Sequence, residues 1–270
     1  MEKSLKLFLS IICLVLAFSC NTKREKAEAT YKRAINYPQG SMMSINGIKR
    51  ATEIDSTYEQ AVYELSVAYL KRGLPHMWKP QYNKAVALDS VNRIPWRGYL
   101  YLWFYRDYKK AIADFDASDT LTPNFIDAPQ GHTVDYWRGI AYLGLNDYKK
   151  SNFYFEKDIA KQIKDFGEDY VDITAFLYNG ISYFEAGNHE KALASFNKQL
   201  EYSRNLGADA KYYKAQIFLD EGNKQKALDT INEAINDFNI GYSNKRPYVE
   251  TMRQIYREDL TAMKSKIESF

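Results

Sequence analysis

Asn188-His189-Glu190-Lys191-Ala192-Leu193 returns 35 residues later as Asn223-Lys224-Gln225-Lys226-Ala227-Leu228. Upstream, Asp107-Tyr108-Lys109-Lys110 returns as Asp147-Tyr148-Lys149-Lys150. A recurrence of this length marks a stack of similar supersecondary units, each burying its apolar face against the next, rather than one closed core. Around the first phrase the period is helical. Phe176, Gly180 and Tyr183 fall on one face of a helix, Gly187-Asn188 is a turn signal, and Ala192, Phe196 and Gln199 form the stripe of a second helix. The small residues Gly180 and Ala192 let the two helices approach, and Tyr183 and Phe196 fill the space around the contact.

The same slots recur along the chain. One unit carries Gly139, Tyr142, Tyr148 and Phe155. Another carries Trp96, Trp103, Ala111, Phe115 and a terminating Pro123. Before these come Tyr69, Gly73, Tyr82, Ala85 and Asp89, and after them Ala215, Phe218, Gly222, Ala227, Ile231 and Ala234. Ile48, Ala51 and Asp55 suggest a first, degenerate unit. This set of small and aromatic slots resembles the tetratricopeptide repeat, a helix-turn-helix unit. The resemblance implies an all-α, right-handed superhelical solenoid of antiparallel helix pairs. About six pairs are expected over residues 27–244, with irregular inserts near 124–131 and 166–172. Ser151 stands where the repeat usually has Ala, and Lys211 where it has a large apolar residue. Residues 245–270 are expected to form a capping helix that Pro247 opens, with Met252, Ile255, Tyr256, Leu260, Met263 and Ile267 on one stripe.

Composition narrows the function classes. The 270 residues are 46% hydrophobic and 26% charged, which suits a folded body. A net charge of +3 gives no dominant basic field for phosphates, so a nucleic-acid partner is not expected. Cys13 and Cys20 are the only cysteines, so no thiolate metal site, disulfide or Cys nucleophile is available after residue 20. His76, His132 and His189 lie far apart. No nucleophile–base pair, phosphate loop or dinucleotide fingerprint is present, and Gly241-Tyr242-Ser243 lacks the strand and second Gly of a nucleophile elbow. The chain reads as a non-enzyme with no cofactor and no metal.

The N-terminus reads as an address. Lys3 and Lys6 give a positive start, and Leu5 to Phe18 is an apolar run broken only by Lys6 and Ser10, too short to span a bilayer comfortably and of signal-peptide length. Leu16-Ala17-Phe18-Ser19-Cys20 resembles a bacterial lipoprotein signal of the looser Bacteroidetes type, with Ala17 in the slot where Leu is usual. The resemblance implies cleavage after residue 19, lipidation of Cys20, a tether over 20–26 and a place on the outer membrane facing the periplasm. Residues 20–270 are nearly neutral, so attachment would come from acyl chains and not from charge.

The 23 Tyr supply the candidate site. Many fall in packing slots. In the tetratricopeptide family the first helix of each pair lines the concave face, and by that register Tyr63, Arg97, Tyr101, Tyr136, Trp137, Tyr178 and Tyr212 would point there. Tyr, Trp and Arg are the residues from which recognition surfaces are built. Such a groove suits an extended peptide, a helix or a glycan; burial between neighbouring pairs is the competing expectation. Arg97 and Tyr101 replace the Lys and Asn with which chaperone-binding repeats hold a C-terminal carboxylate. Asp89-Ser90-Val91 and Asp119-Thr120-Leu121 resemble the O-glycosylation sequon of exported Bacteroidetes proteins, which makes Ser90 and Thr120 candidate acceptors. The functional expectation is a lipid-tethered adaptor that gathers other envelope proteins, with a glycan- or peptidoglycan-binding lipoprotein as the alternative.

Overall fold

The computed structural model describes residues 22–270; the apolar run, Cys13 and Cys20 lie outside the described residues. Among the described residues there are thirteen α-helices and no strand. They fall into two compact units, the first ending at Arg93 and the second running Ile94–Phe270. Unit 1 holds α1 (Lys23–Ala34), α2 (Met42–Ile54), α3 (Glu59–Lys71) and α4 (Pro75–Leu88). The boundary falls within α5 (Ser90–Phe104). Unit 2 continues with α6 (Tyr108–Leu121), α7 (Val134–Gly144), α8 (Tyr148–Phe166), α9 (Ile173–Glu185), α10 (His189–Tyr202), α11 (Ala208–Asp220), α12 (Lys224–Asn239) and α13 (Arg257–Ser269). Odd and even helices pair in sequence, from α1 with α2 to α11 with α12, and α13 packs on the last pair.

The repeated phrases are helix starts. Asp107, Asp147, Asn188 and Asn223 are the N-caps of α6, α8, α10 and α12, and their side chains accept the backbone N–H of Lys110, Lys150, Lys191 and Lys226 at 3.1–3.2 Å. Each cap stabilises its helix by ~1 kcal/mol. The residue before each cap is left-handed: Arg106, Asn146, Gly187 and Gly222 have φ of 51°, 58°, 75° and 77°. That conformation turns the chain back, and the N–H groups of Asp147, Asn188 and Asn223 then satisfy the exposed carbonyls of Tyr142, Tyr183 and Phe218 at 2.8–2.9 Å. One local device, used four times, sets the antiparallel pairing of unit 2.

Between paired helices a glycine receives a ring. A methyl group added at Gly98, Gly139 or Gly180 would stand 2.6–2.7 Å from a ring carbon of Phe115, Phe155 or Phe196. All three Phe are fully buried. The last pair has Ala215 and Ile231 in these slots, both fully buried, so a larger first residue meets a smaller second one. In unit 1 the close approach is between α1 and α2, where a methyl at Gly47 would lie 2.6 Å from the Ala34 side chain. The two residues that break the repeat's pattern are each satisfied. Ser151 is buried and donates to the Gly139 carbonyl at 2.9 Å. Lys211, 4% exposed, pairs with Asp237 at 2.7 Å and Glu233 at 3.1 Å.

The expected inserts are present as loops containing single 3-10 turns at Pro129–Gly131 and Glu168–Tyr170. The C-terminal region differs from expectation. Pro247 does not open the last helix, which begins at Arg257; residues 241–256 are irregular and return across unit 2. The apolar stripe is still buried at Met252, Ile255, Leu260, Met263 and Ile267, while Tyr256 is 41% exposed. A buried stripe needs only alternating access to a core, which the irregular segment also provides.

Candidate peptide-binding face

The first helices of the four pairs in unit 2, α5, α7, α9 and α11, share one side of the stack, and residues 241–256 lie on it. The contacts are polar and specific. The Ala208 N–H donates to the Tyr242 carbonyl at 2.9 Å. The backbone N–H of Asn244 donates to Asp209 at 2.7 Å, and its side-chain amide donates to the Tyr178 hydroxyl at 2.9 Å. Arg246 then reaches α5 and α7. Its guanidinium carbon lies 4.4 Å from the Trp103 ring, 5.4 Å from Tyr99 and 5.7 Å from Trp137, and it donates to the Tyr99 hydroxyl. The chain turns back there. Arg106 donates to the Glu250 carbonyl, and the Thr251 hydroxyl donates to the Asn244 carbonyl at 2.9 Å, closing the loop. Arg253 fastens the return: it grips Glu185 through two bonds of 2.6 and 2.8 Å and donates to Asn146 at 2.8 Å. Tyr248 and Arg253 hold left-handed backbone with φ of 71° and 54°. Bulky residues there carry strain of ~1–3 kcal/mol each, which persists only where surrounding contacts fix it.

The candidate residues take three kinds of position. Tyr136, Trp137 and Tyr178 are 3%, 1% and 2% exposed, so at these positions the expected open aromatic lining is a covered one. The cause is the returning segment together with partners inside the stack: Tyr136 bonds Thr174 at 2.7 Å and stacks on His132, and the Trp137 indole donates to the Pro129 carbonyl at 2.9 Å. Tyr101 is buried beside Tyr105, and Arg97 forms a two-pronged pair with Asp114 of 2.7 and 2.8 Å that ties α5 to α6. Tyr212 is half-buried against the cluster that α13 completes. In unit 1, Tyr63 is half-buried under the Arg93 guanidinium at 3.8 Å, and Arg93 in turn grips Glu59. Ser90 opens α5, half-buried, and Thr120 is exposed in the last turn of α6.

Burial sets the electrostatics. It pushes Tyr178 up to about 12 and raises Tyr136 well above an ordinary phenol, so both are neutral hydrogen-bonding groups. Burial also pushes the Asp209 and Asp158 carboxyls up to about 6. His132 is held below its usual value by burial, with Arg246 acting in the same direction and Asp172 opposing. Beside Asn244 and Lys245 lies a recess of about 290 Å³ that Asp209 and Gln199 also line. The Gln199 side-chain oxygen is buried there with no donor among the described residues. No group of three or more His, Cys, Asp or Glu among the described residues is placed to hold a metal, and no described helix is long and apolar enough to cross a membrane.

Arg246, Arg253, Asn244 and Arg106 were not among the residues the sequence singled out. The available signal was Asn244-Lys245-Arg246-Pro247, which breaks helical period beside a turn; reading Pro247 as a helix opener hid it.

Residues 179–241 match the tetratricopeptide-repeat family. No curated protein matches the chain by sequence. Among solved structures it is similar to PilW, a widely conserved type IV pilus biogenesis factor, with 17% identity over 88% of this chain and 98% of that one and a TM-score of 0.62. It is also similar to PilF of Pseudomonas aeruginosa, with 17% identity over 81% of this chain and 94% of that one and a TM-score of 0.58. YrrB, a tetratricopeptide-repeat protein with an unusual peptide-binding site, shares 20% identity over 70% of this chain and 91% of that one, with a TM-score of 0.52. At such identities the likeness establishes fold: the chain is built of tetratricopeptide-type helix pairs.

Proposed function

We propose that this chain is a non-catalytic adaptor that holds segments of partner proteins on the first-helix side of unit 2 and is tethered to the bacterial envelope by lipid on Cys20. One observation carries the binding half: this side already holds a stretch of polypeptide, residues 242–254, through side chains of α5, α7, α9 and α11 and through backbone bonds at Tyr242, Asn244 and Glu250. A surface that satisfies both the side chains and the main chain of its own segment is chemically equipped for another protein's. The similarity to PilW and to the peptide-binding YrrB supports the same reading. The tether rests on the leader sequence ending at Cys20.

The glycan alternative draws less support, because the aromatic rings that would stack on sugars, Tyr136, Trp137 and Tyr178, are buried. Capture from detergent-solubilised membranes, run beside a glycan array, separates the two. The adaptor reading expects a protein recovered in stoichiometric amount and no array signal. Array binding without a stoichiometric protein would defeat it. For the tether, Cys20→Ala is expected to leave the chain uncut or soluble on fractionation, and a processed variant still in the membrane would defeat that half.

A further inference from the structure

Residues 241–245 form one wall of the recess on the first-helix side, and that wall is fixed. The Ala208 N–H holds the Tyr242 carbonyl, Asn244 is bonded to Asp209 and Tyr178, and the Thr251 hydroxyl closes onto the Asn244 carbonyl. Leu177 and Ala210, both buried, and half-buried Leu206 line the recess with apolar surface, while Tyr242 and Lys245 stand exposed at its rim. Its volume of about 290 Å³ lies at the small end for ligand pockets and suits a single side chain or a small molecule.

The polar side chains inside it offer acceptors. Gln199 is 6% exposed, and its side-chain oxygen is buried with no donor among the described residues. Asp209, 3% exposed, accepts the N–H of Asn244 at 2.7 Å and that of its own backbone, and no cation among the described residues pairs with it. Lys211, two residues on, is committed to Asp237 and Glu233. Burial raises the Asp209 carboxyl, as expected of a charge taken out of water without a counter-ion. The N–H groups that open α11 are spent: Gly207 donates to Asp237, Ala208 to the Tyr242 carbonyl and Asp209 to its own carboxyl, so the recess is not set for an anion. Gly207 is glycine for space and not for conformation. Its φ of 171° suits any residue, but a methyl there would stand 2.7 Å from the Gln199 oxygen. Two buried acceptors, one of them charged, are thus left beside an apolar wall.

We propose that this recess binds a primary ammonium carried on an aliphatic stem, supplied by the amino terminus or a lysine side chain of a partner protein. The ammonium donates to Asp209 and Gln199, and the stem lies against Leu177, Leu206 and Ala210. A primary ammonium has three N–H donors, enough for both oxygens with one left over. Asp209 already accepts two N–H groups, so a compact ammonium that needs one lone pair fits better than a forked guanidinium that needs two. Lys245 at the rim offers a donor to the main-chain carbonyls of the incoming segment. This deepens the adaptor reading and rests on it for the claim that the bearer of the amine is a protein.

The probes are leucyl-alanyl-alanine amide with a free amino terminus, the same peptide N-acetylated, and N-acetyl-alanyl-lysyl-alanine amide, each titrated calorimetrically onto the full chain. The first, the third or both should bind at least ~10-fold more tightly than the acetylated leucyl peptide, because hydrogen bonds to a charged group are lost on acetylation. Binding of the first alone assigns the amino terminus, and binding of the third alone assigns the lysine side chain. Asp209→Asn keeps an acceptor for the Asn244 N–H and removes the charge, so it should weaken that binding by ~10-fold. A second reading needs no variant: the Gln199 side-chain amide signals in a nitrogen-15 spectrum of the wild-type chain should shift as the bound probe is added. No binding by either ammonium probe, equal binding of the acetylated leucyl peptide, an unchanged affinity in Asp209→Asn, or a stationary Gln199 signal would each overturn the proposal. If the probes fail while partner proteins still crosslink to the first-helix side, the recess assignment falls and the adaptor reading stands. If the probes bind as expected and crosslinking fails, the adaptor reading falls and the recess stands as a site for a small amine.

Discussion

Gly180→Ala is the sharpest test of how the helix pairs are closed. On an isolated helix this change is favourable by ~1 kcal/mol, because alanine loses less backbone entropy than glycine. Here the new methyl would stand 2.6 Å and 2.7 Å from two ring carbons of Phe196. Ordinary carbon contacts lie at ~3.5–4.0 Å, so the helices or the ring must yield by close to 1 Å. The ring has nowhere to go, since Phe196 is fully buried and stacks on Tyr213 at 5.7 Å. Overpacking of this kind costs ~1–3 kcal/mol and wins over the propensity gain, for a net loss of up to ~2 kcal/mol. For a unit of this size that lowers the melting temperature by ~2–8 °C. Phe196→Leu vacates the same space, at its own cost, and in that background Gly180→Ala should become neutral or stabilising. Circular dichroism melts of the four proteins of the cycle read the coupling, expected at ~1 kcal/mol or more. A single variant more stable than wild type, or strict additivity, would refute the glycine-to-ring account of the pairing, and with it the same account at Gly98 and Gly139.

Two further outcomes follow from buried charge. Lys211→Met should cost ~3–5 kcal/mol in denaturant unfolding, because it strands Asp237, 3% exposed, without its cation; adding Asp237→Asn should restore part of the loss, and a single variant as stable as the wild type would show that the pair is not buried in solution. Burial raises the Asp209 carboxyl to about 6, so the folded protein keeps a proton that the unfolded chain has released; the stability this confers is complete below the unfolded value near 4 and fades as pH rises through about 6. Asp209→Asn keeps an acceptor for the Asn244 N–H and removes the titration, so its advantage over wild type should grow from pH 4 to pH 7, by up to ~3 kcal/mol, and a difference that is flat with pH would refute the assignment.

Much of this fold is legible in the sequence because the signals are local. The Asp/Asn-x-x-Lys phrases are caps, the Gly and Asn residues before three of them are left-handed turns, and Gly180 with Phe196 is a steric pair within one hairpin. Ser151 and Lys211 stood out as departures, but their partners, the Gly139 carbonyl and Asp237, could be named only from the packed structure. The site was legible in part. The register placed Tyr136, Trp137 and Tyr178 on the first helices, where they are. It gave no sign that a segment more than 60 residues from Tyr178 would return to cover them, since the bond from Asn244 to Tyr178 and the cage around Arg246 are long-range and leave no periodic trace. Pro247 was ambiguous for a physical reason: its fixed φ suits a helix start and an irregular loop equally well.

The central claim is that partner proteins meet this chain on the first-helix side of unit 2. A photo-crosslinking residue placed at Lys245, exposed on the covering loop, and separately at Phe153, 58% exposed on the second helix α8, tests it in living cells. The account expects adducts to another protein from position 245 and none from position 153. Adducts from 153 alone, or from neither position while the chain still co-purifies with partners, would contradict it.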